Sequence, residues 1–506
     1  MKLLARTLGA ALLVLLLGAP GARAKVTAAE VWQVMTDFYA AQGRSLTSAG
    51  QRQEGDTLII TGARFGAPRE VALLRMEVPE LRLRELGDGR VEISASDRIT
   101  ATVKSPVDGR YAAGTRLDLT KTGGKAIVSG STGDMAFDFD APEMTVATSA
   151  SQMAGRTLPV RVTVTLTEGK GKVRITGTST FTADTAADFA TLRFDVTGTG
   201  NDAGDAEAPV HVTGTLNGVK HTRGLLLPAG TSPEDMPAAL AAGYKEESRL
   251  RFASGNVNAD IRDGADISNL QAGLADGEVS AVLGRDGVVL ALRTGASHAV
   301  LQMPELPVPA EAGFAETRLS LSMPVAPETE AKPFATLFKL SDLTLSEGVW
   351  AMFDPTADLP RDPMTAIVDV SGRMRLYGSL LAEADEEGGK LPAEVEAVSL
   401  NELRLSALGA EVTGKGAATI DGSSGQPVPI GTADVDMKGL GGLIGKLADM
   451  GLLPQEQAMG LRMSLALFTV PTGEDSAKSR IESDAEGNVR VNGQVLYKFP
   501  KAGSDP

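Results

Sequence analysis

Apolar and polar residues alternate with a period of two through most of this chain. Leu81 and Leu83 alternate with Arg82 and Arg84. Val160, Val162, Val164 and Leu166 alternate with Arg161, Thr163 and Thr165. The same pattern runs through Leu319, Leu321 and Met323, through Leu403 and Leu405, and through Val489 and Val491. It predicts strands with one buried and one wet face. Antiparallel pairing is favoured, because parallel strands are covered on both faces and read as continuous apolar runs. Turn signals separate the strands at Gly87-Asp88-Gly89, Asp108-Gly109, Gly123-Gly124, Asp286-Gly287 and Glu486-Gly487-Asn488. A short element recurs at irregular spacing: Ile60-Thr61-Gly62, Ile175-Thr176-Gly177, Val196-Thr197-Gly198, Val212-Thr213-Gly214 and Val412-Thr413-Gly414. It reads as a strand with a glycine at a bulge or bend.

The period changes to that of a helix in few places. Thr27-Ala28-Ala29-Glu30 is a capping box at the head of a helix over 27–42, with Val31, Met35, Phe38 and Tyr39 on one stripe and Trp32 beside it. Ser232 and Pro233 predict a helix running to Ala242, with Ser232 as the cap. A short helix is expected around 346–353. The excursion 439–468 reads as two helices joined at Leu452-Leu453-Pro454. Leu440, Leu443, Ile444 and Leu447 form the stripe of the first, and Met459, Met463, Ala466 and Leu467 that of the second.

The expected fold is therefore mainly β. Long antiparallel twisted sheets form a groove or a sandwich, with a few short covering helices. The expected boundaries are a leader at 1–24, a helix plus strand-rich domain at 25–303, and a strand-rich C-terminal domain at 314–506. The loop Asn201–Glu207 and the Pro/Ala/Glu-rich segment 304–313 are candidate boundaries. The acidic stretch Glu383–Gly389 reads as a solvated loop. One continuous sheet through both halves fits the pattern equally well.

The leader sets the compartment. Lys2 and Arg6 precede an apolar run from Leu8 to Leu17, and Ala22-Arg23-Ala24 places small residues at a cleavage site after Ala24. This is the form of a secretory signal peptide, and it points to a periplasmic protein. No later run approaches the length of a membrane-spanning helix. The chain has 506 residues, 49 Lys and Arg against 64 Asp and Glu, a formal charge of −15, three histidines and no cysteine. That composition excludes disulfides and thiolate chemistry, and it argues against nonspecific nucleic-acid binding. The 57 glycines exceed the ~7% average usage, as many hairpins require.

Candidate chemistry is sparse. There is no H-E-x-x-H, G-x-S-x-G or Walker A pattern. Gly439, Gly441, Gly442 and Gly445 fail the dinucleotide spacing and read as helix-packing glycines. His211, His221 and His298 carry no local triad pattern; His211 and His298 sit in strand-like runs, and His221 follows an expected turn at Asn217-Gly218. Asp354, Asp358 and Asp362 recur every four residues, a weak candidate for Ca²⁺ through oxygen ligands. Two of them precede proline, where Asp commonly starts a turn. Trp32, Trp350 and Phe353 are the expected structural anchors, because aromatics are scarce here. No cofactor and no catalytic residue is expected.

Several motifs carry a resemblance. Leu319–Val325, Trp350–Pro355 with Leu359-Pro360-Arg361-Asp362-Pro363, Leu400–Leu403, Gly414-Lys415-Gly416, Gly451–Pro454 and Gly487–Gln494 resemble a family of exported alphaproteobacterial proteins classed as domain of unknown function 2125. That resemblance extends over the chain from Ala29-Glu30-Val31-Trp32 onward and implies no activity. The ending, a helical excursion followed by a strand with Gly487 and Asn492-Gly493, is similar to AsmA-like envelope proteins, which are associated with β-grooves and lipid transport. The expected function is a non-enzymatic binder or shield of a lipid-like ligand in envelope homeostasis, with an envelope protein as a further possible partner. The alternatives are a structural or protein-interaction module with a closed sandwich core and, ranked last, a hydrolase.

Overall fold

The computed structural model describes residues 25–66, 73–107, 110–153, 156–157, 159–200, 208–233, 235–263, 266–381, 393–422 and 427–499. The leader and its cleavage site, the turn Asp108-Gly109, the loop 201–207 and the acidic stretch 383–389 lie outside them. The protein is mainly β, with thirty strands and five helices among the described residues. Its long hairpins pair antiparallel. None of the described helices is long and apolar enough to cross a membrane.

The chain divides into two compact units, Met1–Arg285 and Asp286–Pro506. The segment 304–313 lies inside the second unit. Its end belongs to a strand, Ala310–Phe314, which pairs with Ser297–Gln302.

The first unit is built on a helix and a meander. Helix α1 (Ala28–Ala41) starts at the capping box: Glu30 N donates to Thr27 Oγ1, and Thr27 N donates to Glu30 Oε2 at 2.8 Å. α1 buries Val31, Trp32, Met35, Phe38 and Tyr39. Phe38 meets Phe181 edge-on at 5.7 Å, and Tyr39 meets Phe65 at 5.2 Å. Ile59, Ile60, Leu83, Val91, Val128, Met135 and Leu227 fill the core. Burial lifts the Tyr39 hydroxyl to about 12, since its phenolate would lose solvation there. Four long strands, Asp134–Met153, Arg161–Thr176, Phe181–Gly200 and Ala208–Leu227, pair in succession.

Three expectations need correction. Helix α2 (Met236–Ala241) starts later than Ser232 and Pro233 suggested, and Asp235 rather than Ser232 caps it, accepting from Ala238 N at 3.1 Å. Asn217-Gly218 is not a hairpin turn: Gly218, at φ 61°, lies inside the strand Ala208–Leu227. The Thr-Gly element is also not uniform. Gly62 and Gly177 do take positive φ, at 58° and 98°. Gly214, however, sits in register opposite Phe194, whose ring passes within 2.3 Å of where a Cβ would stand. That glycine makes room for an aromatic across the strand pair rather than for a bend.

The second unit is dominated by nine strands that pair side by side. They are Gly287–Thr294, Glu316–Met323, Lys332–Leu345, Met364–Leu376, Ala393–Ala407, Ala410–Asp421, Val428–Lys438, Ser476–Ser483 and Asn488–Val491. Helix α3 (Glu347–Phe353) follows the third strand. Helices α4 (Leu440–Asp449) and α5 (Gln455–Phe468) are inserted between the seventh and eighth. The two-residue turn Leu408-Gly409, with φ 56° and 80°, gives the twist that a tight hairpin needs.

Candidate functional site

The aspartate run after α3 folds as a turn. Asp354 is 0% exposed, and its carboxylate accepts from Asp358 N at 2.9 Å and Leu359 N at 3.1 Å. Arg361 donates to the Asp354 carbonyl at 3.2 Å, pairs with Glu347, and lies 5.5 Å from the Trp350 ring centre. Trp350 is buried, and the half-buried Phe353 packs on it at 5.2 Å. The Asp358 side chain accepts from the Thr356 hydroxyl, and Asp362 is exposed. Among the described residues no group of three acidic or imidazole side chains could hold a metal ion. Buried peptide N–H groups thus occupy the one buried carboxylate of the three.

Each histidine has a different neighbour. His211 Nε2 is 3.3 Å from Asp195, His221 Nε2 is 3.2 Å from Ser248 Oγ, and His298 Nε2 is 3.7 Å from Glu311. A Ser-His-Asp relay needs an acid on the second ring nitrogen. His221 Nδ1 is buried and has no partner. Burial first, and then the nearby Arg223 charge, depress the His221 pKa.

The glycines at the head of α4 receive a carboxylate of the chain itself. Gly441 N and Gly442 N each donate to Asp475 at 2.8 Å. A Cβ at Gly441 would lie 2.7 Å from Asp475 Oδ1, and Gly439 adopts φ 71° against the Gly409 carbonyl. These glycines let an anion reach the helix N-terminus, where free N–H groups attract it. The anion is Asp475.

The largest feature is a sheet face almost without charge, its strands carrying only Lys332, at the start of its strand and in register with Met374. Register places Val288, Leu290 and Leu292 opposite Met323, Leu321 and Leu319, and Leu319 opposite Phe338. Phe338 faces Val368, Val368 faces Leu403, and Leu405 faces Val412. Val412 faces Met437, Ala433 faces Ile481, and Ile481 faces Val491. A bulge at Asn401–Glu402 keeps Leu400 and Leu403 on the same side. Apart from Lys332, the polar groups on this face are hydroxyls, as at Thr317, Thr336 and Ser479. At ~4.8 Å per strand the face extends about 40 Å across the nine strands. It is not packed away: Leu290, Leu319, Leu321, Phe338, Leu405 and Ile481 are between 37% and 45% exposed. Contiguous apolar surface of this size marks a binding surface more often than a resting one.

The opposite face holds nearly all the charges, and they pair with one another. Glu316 accepts from Lys339 at 2.7 Å and from Arg293 and Arg318 at 3.0 Å each. Arg404 meets Glu411 at 2.7 Å, and Asn401 donates to Asp369 at 2.8 Å. The Lys339 hydrogen bond, with Arg293 and Arg318, outweighs partial burial and holds the Glu316 carboxyl at about 2. A depressed folded pKa adds stability above the unfolded pKa and loses it as pH falls toward the folded one. Stability of the second unit should therefore decline between about pH 4.5 and pH 2. Glu316→Gln should flatten that stretch of a pH series of urea midpoints, and an unchanged slope would refute the assignment.

No protein-family model, curated protein or solved structure matches this chain.

Proposed function

We propose that this is a periplasmic, non-enzymatic protein that binds or shields a lipid-like ligand on the apolar face of its second unit. The observation that carries the reading is the register itself. Nine paired strands gather most of their large apolar side chains on one side and nearly all their charges on the other, and leave the apolar side half exposed. Hydrocarbon laid there loses its contact with water at ~25 cal/mol per Å², whereas a charged group away from Lys332 would find no counter-ion in the strands of that face. The likeness to the exported family and the leader support the periplasmic part of the reading, and the likeness to AsmA-like proteins supports the lipid part.

The test is native mass spectrometry of chain 25–506 purified from a periplasm without detergent, followed by organic extraction. Phospholipid or fatty acid should co-purify, and a fluorescent acyl probe should bind. Leu321→Asp places a charge on the face, in the second of its nine strands, and should weaken probe binding by about tenfold or more. A clean unliganded mass together with no probe uptake would reject the reading.

A further inference from the structure

The helical excursion carries an apolar surface that its own packing does not use. α5 faces α4 through Ala458 and Leu465, which with Ile444, Ala448 and Leu453 form the small core of the pair. Met459, Met463 and Leu467 recur every four residues on the far side and are 65%, 68% and 62% exposed. These three belong to the stripe Met459, Met463, Ala466 and Leu467 that the sequence marks on this helix. It points to solvent because the smaller Ala458 face allows α4 to approach. Leu452, in the connection between the helices, is exposed as well.

The end of α5 is tied to the apolar face. The Phe468 carbonyl accepts from Ser479 Oγ at 2.8 Å and from Asn492 Nδ2 at 3.0 Å. Ser479 stands on the apolar face, in register with Val435. The helix therefore starts its exposed stripe from an anchor on the surface assigned to the ligand.

Three properties define what meets the stripe. α5 carries one acid, Glu456, and one base, Arg462, so it is neutral within a chain of formal charge −15. A helix with so few charges can enter a lipid interface without stripping water from many unpaired ions. Two of the three side chains are methionines, whose unbranched thioethers adapt to a fluid partner. A helix of 14 residues is too short to span a bilayer but long enough to lie in its interface.

We propose that the Met459–Met463–Leu467 stripe contacts the acyl-chain region of a neutral lipid surface and passes hydrophobic ligand to the apolar face. The contact stands on the stripe; the passage rests on the ligand reading above. The experiment is flotation of the purified chain with phosphatidylcholine vesicles, alongside acyl-probe binding in vesicle-free buffer. The chain should float with the vesicles at low and at high salt, since the attraction is apolar. Met459→Asp combined with Met463→Asp should cut the floating fraction by about tenfold or more and leave probe binding unchanged. Leu321→Asp should do the reverse. Both methionines are exposed, so the double variant should keep its unfolding transition, which serves as the folding control. A chain that does not float, or a double variant that floats as well as the parent, overturns the proposal and turns the stripe toward a protein partner. Flotation without probe binding would remove the ligand reading and leave the contact standing.

Discussion

Asp354→Ala should lower the stability of the second unit by about 3 kcal/mol, measured as a shift of its urea midpoint. The carboxylate is fully buried, and its removal strands two peptide N–H groups, at Asp358 and Leu359. It also deprives Arg361 of a neighbouring negative charge at 3.9 Å. The Leu359 N–H is left in the interior without a partner, which costs more than the net value of a hydrogen bond, while Arg361 keeps Glu347 and the main-chain carbonyl at 354. Asp362→Ala should stay within about 0.5 kcal/mol, because that side chain is exposed. The contrast separates a turn from a metal site. Three cation ligands would fail together, and Ca²⁺ would raise the midpoint of the parent. Equal effects at Asp354 and Asp362, or a Ca²⁺-dependent midpoint, would contradict the turn.

Phe181→Ala should cost about 3–5 kcal/mol in the first unit. The ring is 3% exposed, meets Phe38 of α1 edge-on, and pairs across the strands with Leu227. Its loss leaves a cavity between a helix and a sheet that are held together by such contacts. Leu290→Ala in the second unit should cost well under half as much, since the side chain is 42% exposed and less of its area is taken from water. Chemical denaturation of the two variants tests both figures. A large cost at Leu290 would mean that the apolar face is packed against something in the folded chain. A small one would mean that these leucines are kept for a purpose other than stability.

The three aspartates show how far spacing can be read. Their recurrence every four residues suggested a shared cation, yet α3 ends between Trp350 and Asp354 and turns the first of them inward. Spacing along a chain becomes distance only where the chain is straight. The glycines before α4 are a second case. Their spacing reads as close helix packing, yet the N–H groups of Gly441 and Gly442 receive the Asp475 carboxylate, more than thirty residues further on. No local signal could have paired them.

The outward stripe of α5 is a third case. An apolar stripe on a helix says that one face is distinct from the other. It does not say which face meets the protein. Met459 and Met463 look like core by composition, but the neighbouring helix fits against Ala458, where close approach is sterically possible.

What the amino-acid order determined by itself was local. The period of two dictated strands, the capping box placed α1, and the glycine turns set the hairpins, because each depends on residues within a few positions of one another. Tertiary structure decided which side chains share a face. The apolar surface exists only because nine separate strands pair in one register, with a bulge at Asn401–Glu402 that keeps the phase. A slip of one residue in any of them would carry its leucines to the charged side. Register is set by long-range pairing and packing, so the surface proposed to bind ligand was present in the sequence only as fragments.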